Sequence, residues 1–282
     1  MIAPVVSFDW LAAHPDAVVA DVRFYLDGRS AREAYAAGHL PGARFVDMEA
    51  DLAGPVTDLT GRHPLPTPSA FAQAMSTLGV SDDSVVVAYD DAGGAMAGRL
   101  VWMLRMLKVD AALLDGGLRA FPGELETGSA EGVAPGDFTA RPWLPADLAT
   151  IDDAAHQLVV LDARARDRYA GESEPMDARA GHIPGALSAP FAGNLGPDGR
   201  FLPPEQLAER FRALGVTNAA GVVSYCGSGI TACHNLIALE YAGLGRGRLY
   251  PGSWSQYANT ERPAATGAEA GQRPGLNVRG EP

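Results

Sequence analysis

The chain has 282 residues, 47% of them hydrophobic and 20% charged, more than one small domain needs and enough to bury two cores. Its 34 acidic residues against 22 basic ones give a formal charge of −12, which speaks against nucleic acid and anionic membrane as partners and requires any anionic substrate to be met by locally placed arginines. No apolar run reaches the 18 or so residues that span a bilayer, and Met1-Ile2-Ala3-Pro4 lacks the basic start and apolar core of a secretory signal, so a cytoplasmic location is expected.

The first apolar strand, "AVVADVR", closes on Asp-x-Arg at Arg23 and is followed by "AGHLPGA" (37–43). A second strand, "DSVVVAYD", ends at Asp90, a 3.6-period helix follows over "MAGRLVWMLRMLK", and "AALLDGGLRAF" supplies a third strand. Then the same series returns. "LVVLDAR" ends at Arg164, "AGHIPGA" (180–186) stands 143 residues after its twin, "GVVSYCG" runs to Gly227, "TACHNLIALEYAG" reads as a helix, and "GRLYPGSWSQY" closes the unit. Apolar strands alternating with helices predict an α/β fold: two tandem domains, each a mostly parallel sheet flanked by helices. The boundaries are domain 1 over 1–123, a Gly- and Pro-rich linker over 124–147, domain 2 over 148–265, and a disordered tail over 266–282.

Both cysteines lie in "YCGSGITACHN". Cys226 sits where a strand stops and a helix starts, the place where open α/β sheets bind ligands. The loop Cys226-Gly227-Ser228-Gly229-Ile230-Thr231 can turn its N–H groups and the helix's positive end toward one point, a nest that favours a thiolate. Gly227 and Gly229 allow the close approach, and the hydroxyls of Ser228 and Thr231 can bond the sulfur or a substrate carbonyl, or cap the helix. Cys226 is therefore the candidate nucleophile. Cys233 falls among apolar helical residues and reads as a packed thiol, about 10 Å away along a helix, beyond the 7 Å or so that a disulfide tolerates between Cα atoms. Cys226, Cys233 and His234 lack the spacing of a metal site, so neither metal nor cofactor is expected.

The Tyr35–Ala43 pattern with its second copy at His182–Ala186, the Cys-Gly-Ser-Gly-Ile-Thr-Ala loop and "LYPGSWSQY" together resemble the two-domain sulfurtransferases of the rhodanese superfamily, with a loop most similar to the 3-mercaptopyruvate enzymes. That resemblance implies tandem rhodanese-like domains of which the second is active, Cys226 carrying sulfur as a persulfide. Asp90 takes the cysteine's place in the first copy, which makes that domain catalytically silent. A small-molecule sulfur donor is implied, 3-mercaptopyruvate or alternatively thiosulfate. Implied acceptors are cyanide or a thiol such as a dithiol or a thioredoxin-like protein. A non-catalytic sulfur-carrier module is the remaining reading, and Ala232, where Cys-x5-Arg phosphatases need arginine, excludes that chemistry. For the donor's carboxylate the family pattern points to Arg168 and, displaced from the family position, Arg179. It also points to His39 as a partner of Ser228, with Ser30 in place of the family's aspartate. His39 and His182 read equally as residues that tie down the repeated turn, and Arg164, repeated as Arg23, as structural.

Overall fold

A computed structural model describes residues 1–57, 59–129 and 133–272. The first sheet has five strands, β1 (Val5–Val6), β2 (Val18–Asp21), β3 (Arg44–Phe45), β4 (Val85–Tyr89) and β5 (Asp110–Leu114), ordered β1-β5-β4-β2-β3 and parallel throughout. The second has β6 (Val159–Asp162), β7 (Leu187–Ser188), β8 (Val222–Tyr225) and β9 (Arg248–Leu249), ordered β7-β6-β8-β9 and again parallel. The register pairs β2 with β4 and β6 with β8 over four residues each, so Asp21 lies beside Tyr89 as Asp162 lies beside Tyr225.

Two helices join the halves. In α4 (Ala97–Met106) and α8 (Thr231–Tyr241) nearly every residue is buried, as expected of helices sandwiched between a sheet and a neighbouring domain. Gly98 lets them approach: a Cβ there would lie 3.3 Å from the His234 amide nitrogen. Arg105 on α4 reaches Glu240 on α8 at 2.6 Å, and one hydrophobic cluster runs through both domains. No described helix is long and apolar enough to cross a membrane.

Two expected boundaries behave differently from a slack linker and a free tail. In the 124–147 segment Glu126 exchanges both backbone hydrogen bonds with His39, Phe138 is buried against Phe71, and the Trp143 indole donates to the Pro66 carbonyl at 2.7 Å. It is a strap along domain 1, held because it carries aromatic side chains that the core accepts. Residues 266–272, expected to be disordered, follow an antiparallel bridge between His182 and Ala265, and Gly267 N–H donates to the Ala170 carbonyl. These backbone partners are invisible in a Gly- and Ala-rich composition; 273–282 lie outside the described residues.

Candidate active site

Cys226 follows directly on β8, and the loop 226–230 leads into α8. Gly229 has φ +81°, and a Cβ there would meet the Pro251 carbonyl oxygen at 2.6 Å, so only glycine fits. Its N–H donates to Cys226 Sγ at 3.1 Å. The other side of the loop is tied down by α9 (Ser253–Tyr257): Trp254 and Ser255 N–H groups donate to the carbonyls of Cys226 and Gly227, each at 2.9 Å, and the Ser253 hydroxyl accepts the Cys226 N–H at 3.2 Å. Ser253 holds a left-handed φ of +52° to do so, a local strain that the surrounding hydrogen bonds sustain.

The thiol lies 2% exposed at the floor of a cavity of about 80 Å³ between the domains. Gly227, Ser228, Ile230 and Thr231 form one wall. Thr231 opens α8 without capping it; no side chain caps that end. From domain 1 come two residues the sequence reading missed, Arg62 and His63. His63 Nδ1 lies 2.8 Å from Ser228 Oγ. Burial, reinforced by the positive charges of Arg99 and Arg62, pushes its pKa down to about 4, so the ring is neutral at pH 7. With the ring proton on Nε2, Nδ1 accepts the serine's hydroxyl proton.

Two guanidinium groups flank the loop. A Cβ on Gly227 would lie 3.1 Å from Arg62 Nη2 and 3.4 Å from Arg168 Nη1. Both arginines are tethered to Asp177: Arg62 by an ion pair, and Arg168 at 3.2 Å while it also donates to Glu174 at 2.6 Å. Arg168 thus lines the same cavity as Cys226.

Arg179 is not in this site. Its guanidinium donates to the carbonyls of Tyr257 and Ala258 at the end of α9 and to that of Arg262 beyond it, at 2.9 to 3.2 Å; the second cavity guanidinium is Arg62, across the domain boundary. His39 is not in the site either. It stacks on Tyr35, its Nδ1 lies 2.9 Å from the Tyr35 carbonyl, and His182 repeats this on Tyr169 at 2.8 Å. Both serve the turn. Likewise Arg23 and Arg164 reach the same partners in each copy, Asp21 and the Gly38 carbonyl, and Asp162 and the Gly181 carbonyl.

Asp90 shows what a filled nest looks like. Its carboxylate accepts the N–H groups of Ala92, Gly94, Met96 and Ala97 at 2.7 to 2.9 Å, although complete burial pushes its pKa up. A description of the rhodanese-like domain matches residues 7–124 and again 145–260. The chain belongs to the rhodanese family. Among relatives of this rhodanese, a Pseudomonas aeruginosa protein named "Probable 3-mercaptopyruvate sulfurtransferase" is 49% identical over 267 residues, covering 90% of this chain and 94% of that one. An Arabidopsis thaliana "Thiosulfate/3-mercaptopyruvate sulfurtransferase 2" is 31% identical over 304 residues, covering 95% and 87%. The solved 3-mercaptopyruvate sulfurtransferase from Leishmania major superposes with a TM-score of 0.83 at 31% identity, covering 92% of this chain and 75% of that one.

Proposed function

We propose that this rhodanese is a sulfurtransferase that takes sulfur from 3-mercaptopyruvate onto Cys226 and passes it to a thiol or cyanide. The observation that carries the reading is the meeting, over one cysteine, of two guanidinium groups and a Ser-His pair supplied from opposite domains. Arg62 and Arg168 suit the donor's carboxylate through charge-assisted hydrogen bonds. The Cys226 thiolate attacks the donor sulfur; the carbon–sulfur bond breaks and its electron pair leaves on carbon as pyruvate enolate. The proton carried by the donor thiol returns to that carbon, and the Ser228–His63 pair, which lines the same cavity as Cys226, is suited to relay it. What remains on Cys226 is a persulfide anion. An acceptor thiolate, from a dithiol or a thioredoxin-like protein, then attacks the outer sulfur and releases the Cys226 thiolate.

Cys233 is unsuited to this role, because burial pushes its pKa up to about 12 and it is wholly buried. Initial rates with 3-mercaptopyruvate and with thiosulfate, with cyanide as acceptor, test the donor; intact mass after donor treatment tests the carrier residue. Catalytic pyruvate release is expected, together with one added sulfur that Cys226→Ser abolishes and Cys233→Ala spares. Release of one pyruvate per cysteine would instead mark a carrier, and faster turnover of thiosulfate would reverse the donor preference.

A further inference from the structure

Arg99 lies beneath the active-site loop, contributed by α4 of the domain that has no cysteine. It is 0% exposed. Its Nη1 donates to the Gly229 carbonyl at 2.9 Å, and its Nη2 to the carbonyls of His63 at 3.0 Å and Leu52 at 3.4 Å, while Nε has no partner. Arg105, less than two turns further along the same helix, has Glu240. Arg99 has no carboxylate among its bonded partners; among the described residues the groups of opposite potential charge acting on it are Cys233, which also meets it side chain to side chain, and Cys226. A buried charge is ordinarily matched, because leaving it alone in a low-dielectric interior is costly.

The charges around the loop leave this one over. Arg62, Arg168 and Arg164 are matched by Asp177, Glu174 and Asp162. His63 is neutral at pH 7, and Cys233, whose Sγ lies 3.4 Å from the same Gly229 carbonyl, stays a thiol. One group able to become an anion remains within a single peptide of the guanidinium. Cys226 Sγ accepts the N–H of Gly229, and Arg99 holds the carbonyl of Gly229.

We infer that Arg99 is a positioning residue whose counter-ion is the sulfur anion on Cys226, first thiolate and then persulfide. Its fork fixes the Gly229 peptide so that the N–H meets Sγ, and it fixes His63 through that residue's carbonyl so that the ring meets Ser228. The charge stabilises the nucleophile without touching substrate, a role separate from that of Arg62 and Arg168 toward the donor.

The inference rests on Cys226 being the nucleophile, and its test is independent of the donor: alkylation of Cys226 by iodoacetamide, a neutral reagent, followed against pH in a Cys233→Ala background. In Arg99→Gln the midpoint should rise by about one pH unit, with alkylation about tenfold slower at neutral pH and an unchanged limiting rate at high pH. Arg99→Lys, which keeps the charge but not the fork, should hold the wild-type midpoint and lose about tenfold in kcat for the donor. A wild-type midpoint in Arg99→Gln overturns the inference. If that variant does not fold, Arg99→Lys decides: a raised midpoint or an unchanged kcat overturns it. Failure of the wild type to release pyruvate would overturn the donor reading and leave the alkylation result standing.

Discussion

Asp177 bears on the charge that an anionic donor would meet, and replacing it tests whether the preference for a monoanion proposed above rests on charge. Its carboxylate is 4% exposed and tethers Arg62 and Arg168, themselves 28% and 19% exposed. With Glu174 also on Arg168, little of the arginines' charge is unmatched, so thiosulfate, a dianion, gains little over mercaptopyruvate. Asp177→Asn keeps the shape and an acceptor oxygen while removing one negative charge. One charge acting on the additional charge of thiosulfate at about 7 Å amounts to about 2 kcal/mol at an effective dielectric near 20. The half-open arginines reduce that to about 1 kcal/mol, or about fivefold. The ratio of kcat/KM for thiosulfate to that for 3-mercaptopyruvate should therefore rise about fivefold in initial-rate assays with cyanide, and less at high salt. A urea midpoint reports whether loss of the buried partner has weakened the fold. A ratio that stays put, or moves toward mercaptopyruvate while the fold is intact, refutes the charge argument.

The Ser228–His63 pair should act as one unit: Ser228→Ala and His63→Gln each lower kcat for 3-mercaptopyruvate about ten- to a hundredfold, and the double variant loses no more than either; losses that multiply would show that the two act separately. His234 is fully buried, and burial pushes its pKa down to about 4 against about 6.5 unfolded. Its unfolded form binds the proton first, so its contribution to stability is present above about pH 6.5 and is lost as the pH falls toward 4. Between pH 7 and 5 that is about 2 kcal/mol, and His234→Gln should lose that much less stability over the interval in urea unfolding. The carboxyls of Asp90 and Asp177, raised by burial, act in the opposite direction and cancel in the comparison.

What repeats in this sequence is the fold, and what does not repeat is the chemistry. The strands, the Asp-x-Arg ends and the His-Leu/Ile-Pro-Gly turns were legible because each appears twice and each pattern reports a local cause: apolar runs, a buried ion pair, a stacked ring. Cys226 was legible from its place at a strand end. Arg62 and His63 were not, because the matching stretch of the second half, Gly199-Arg200-Phe201, carries no histidine, and the value of the pair depends on a fold that carries His63 across to Ser228. The same holds for Asp177 and Glu174. In the first copy tyrosine and histidine stand four residues apart, in the second 13, and the extra length holds both acids and Met176. Arg179 misled because its neighbour in sequence is the site, whereas its guanidinium is drawn to the carbonyls of Tyr257 and Ala258 at the end of α9 and of Arg262 beyond it.

Two copies of one fold thus divide one task. In the first, the Asp90 carboxyl fills the nest and takes four N–H groups. In the second, Cys226 takes the hydrogen bond of Gly229, and its charge exists only when the thiol ionises. A nest of N–H groups alone would serve either occupant. The difference lies in what stands behind it: behind the second nest lie the guanidinium of Arg99 and the ring of His63, both from the first domain, held by an interface in which Gly98 lets α4 touch α8. The first domain therefore contributes to the surroundings of the Cys226 sulfur from two directions, below through Arg99 and across the cavity through Arg62 and His63, and in the proposed function the packing of the two halves is itself part of the site.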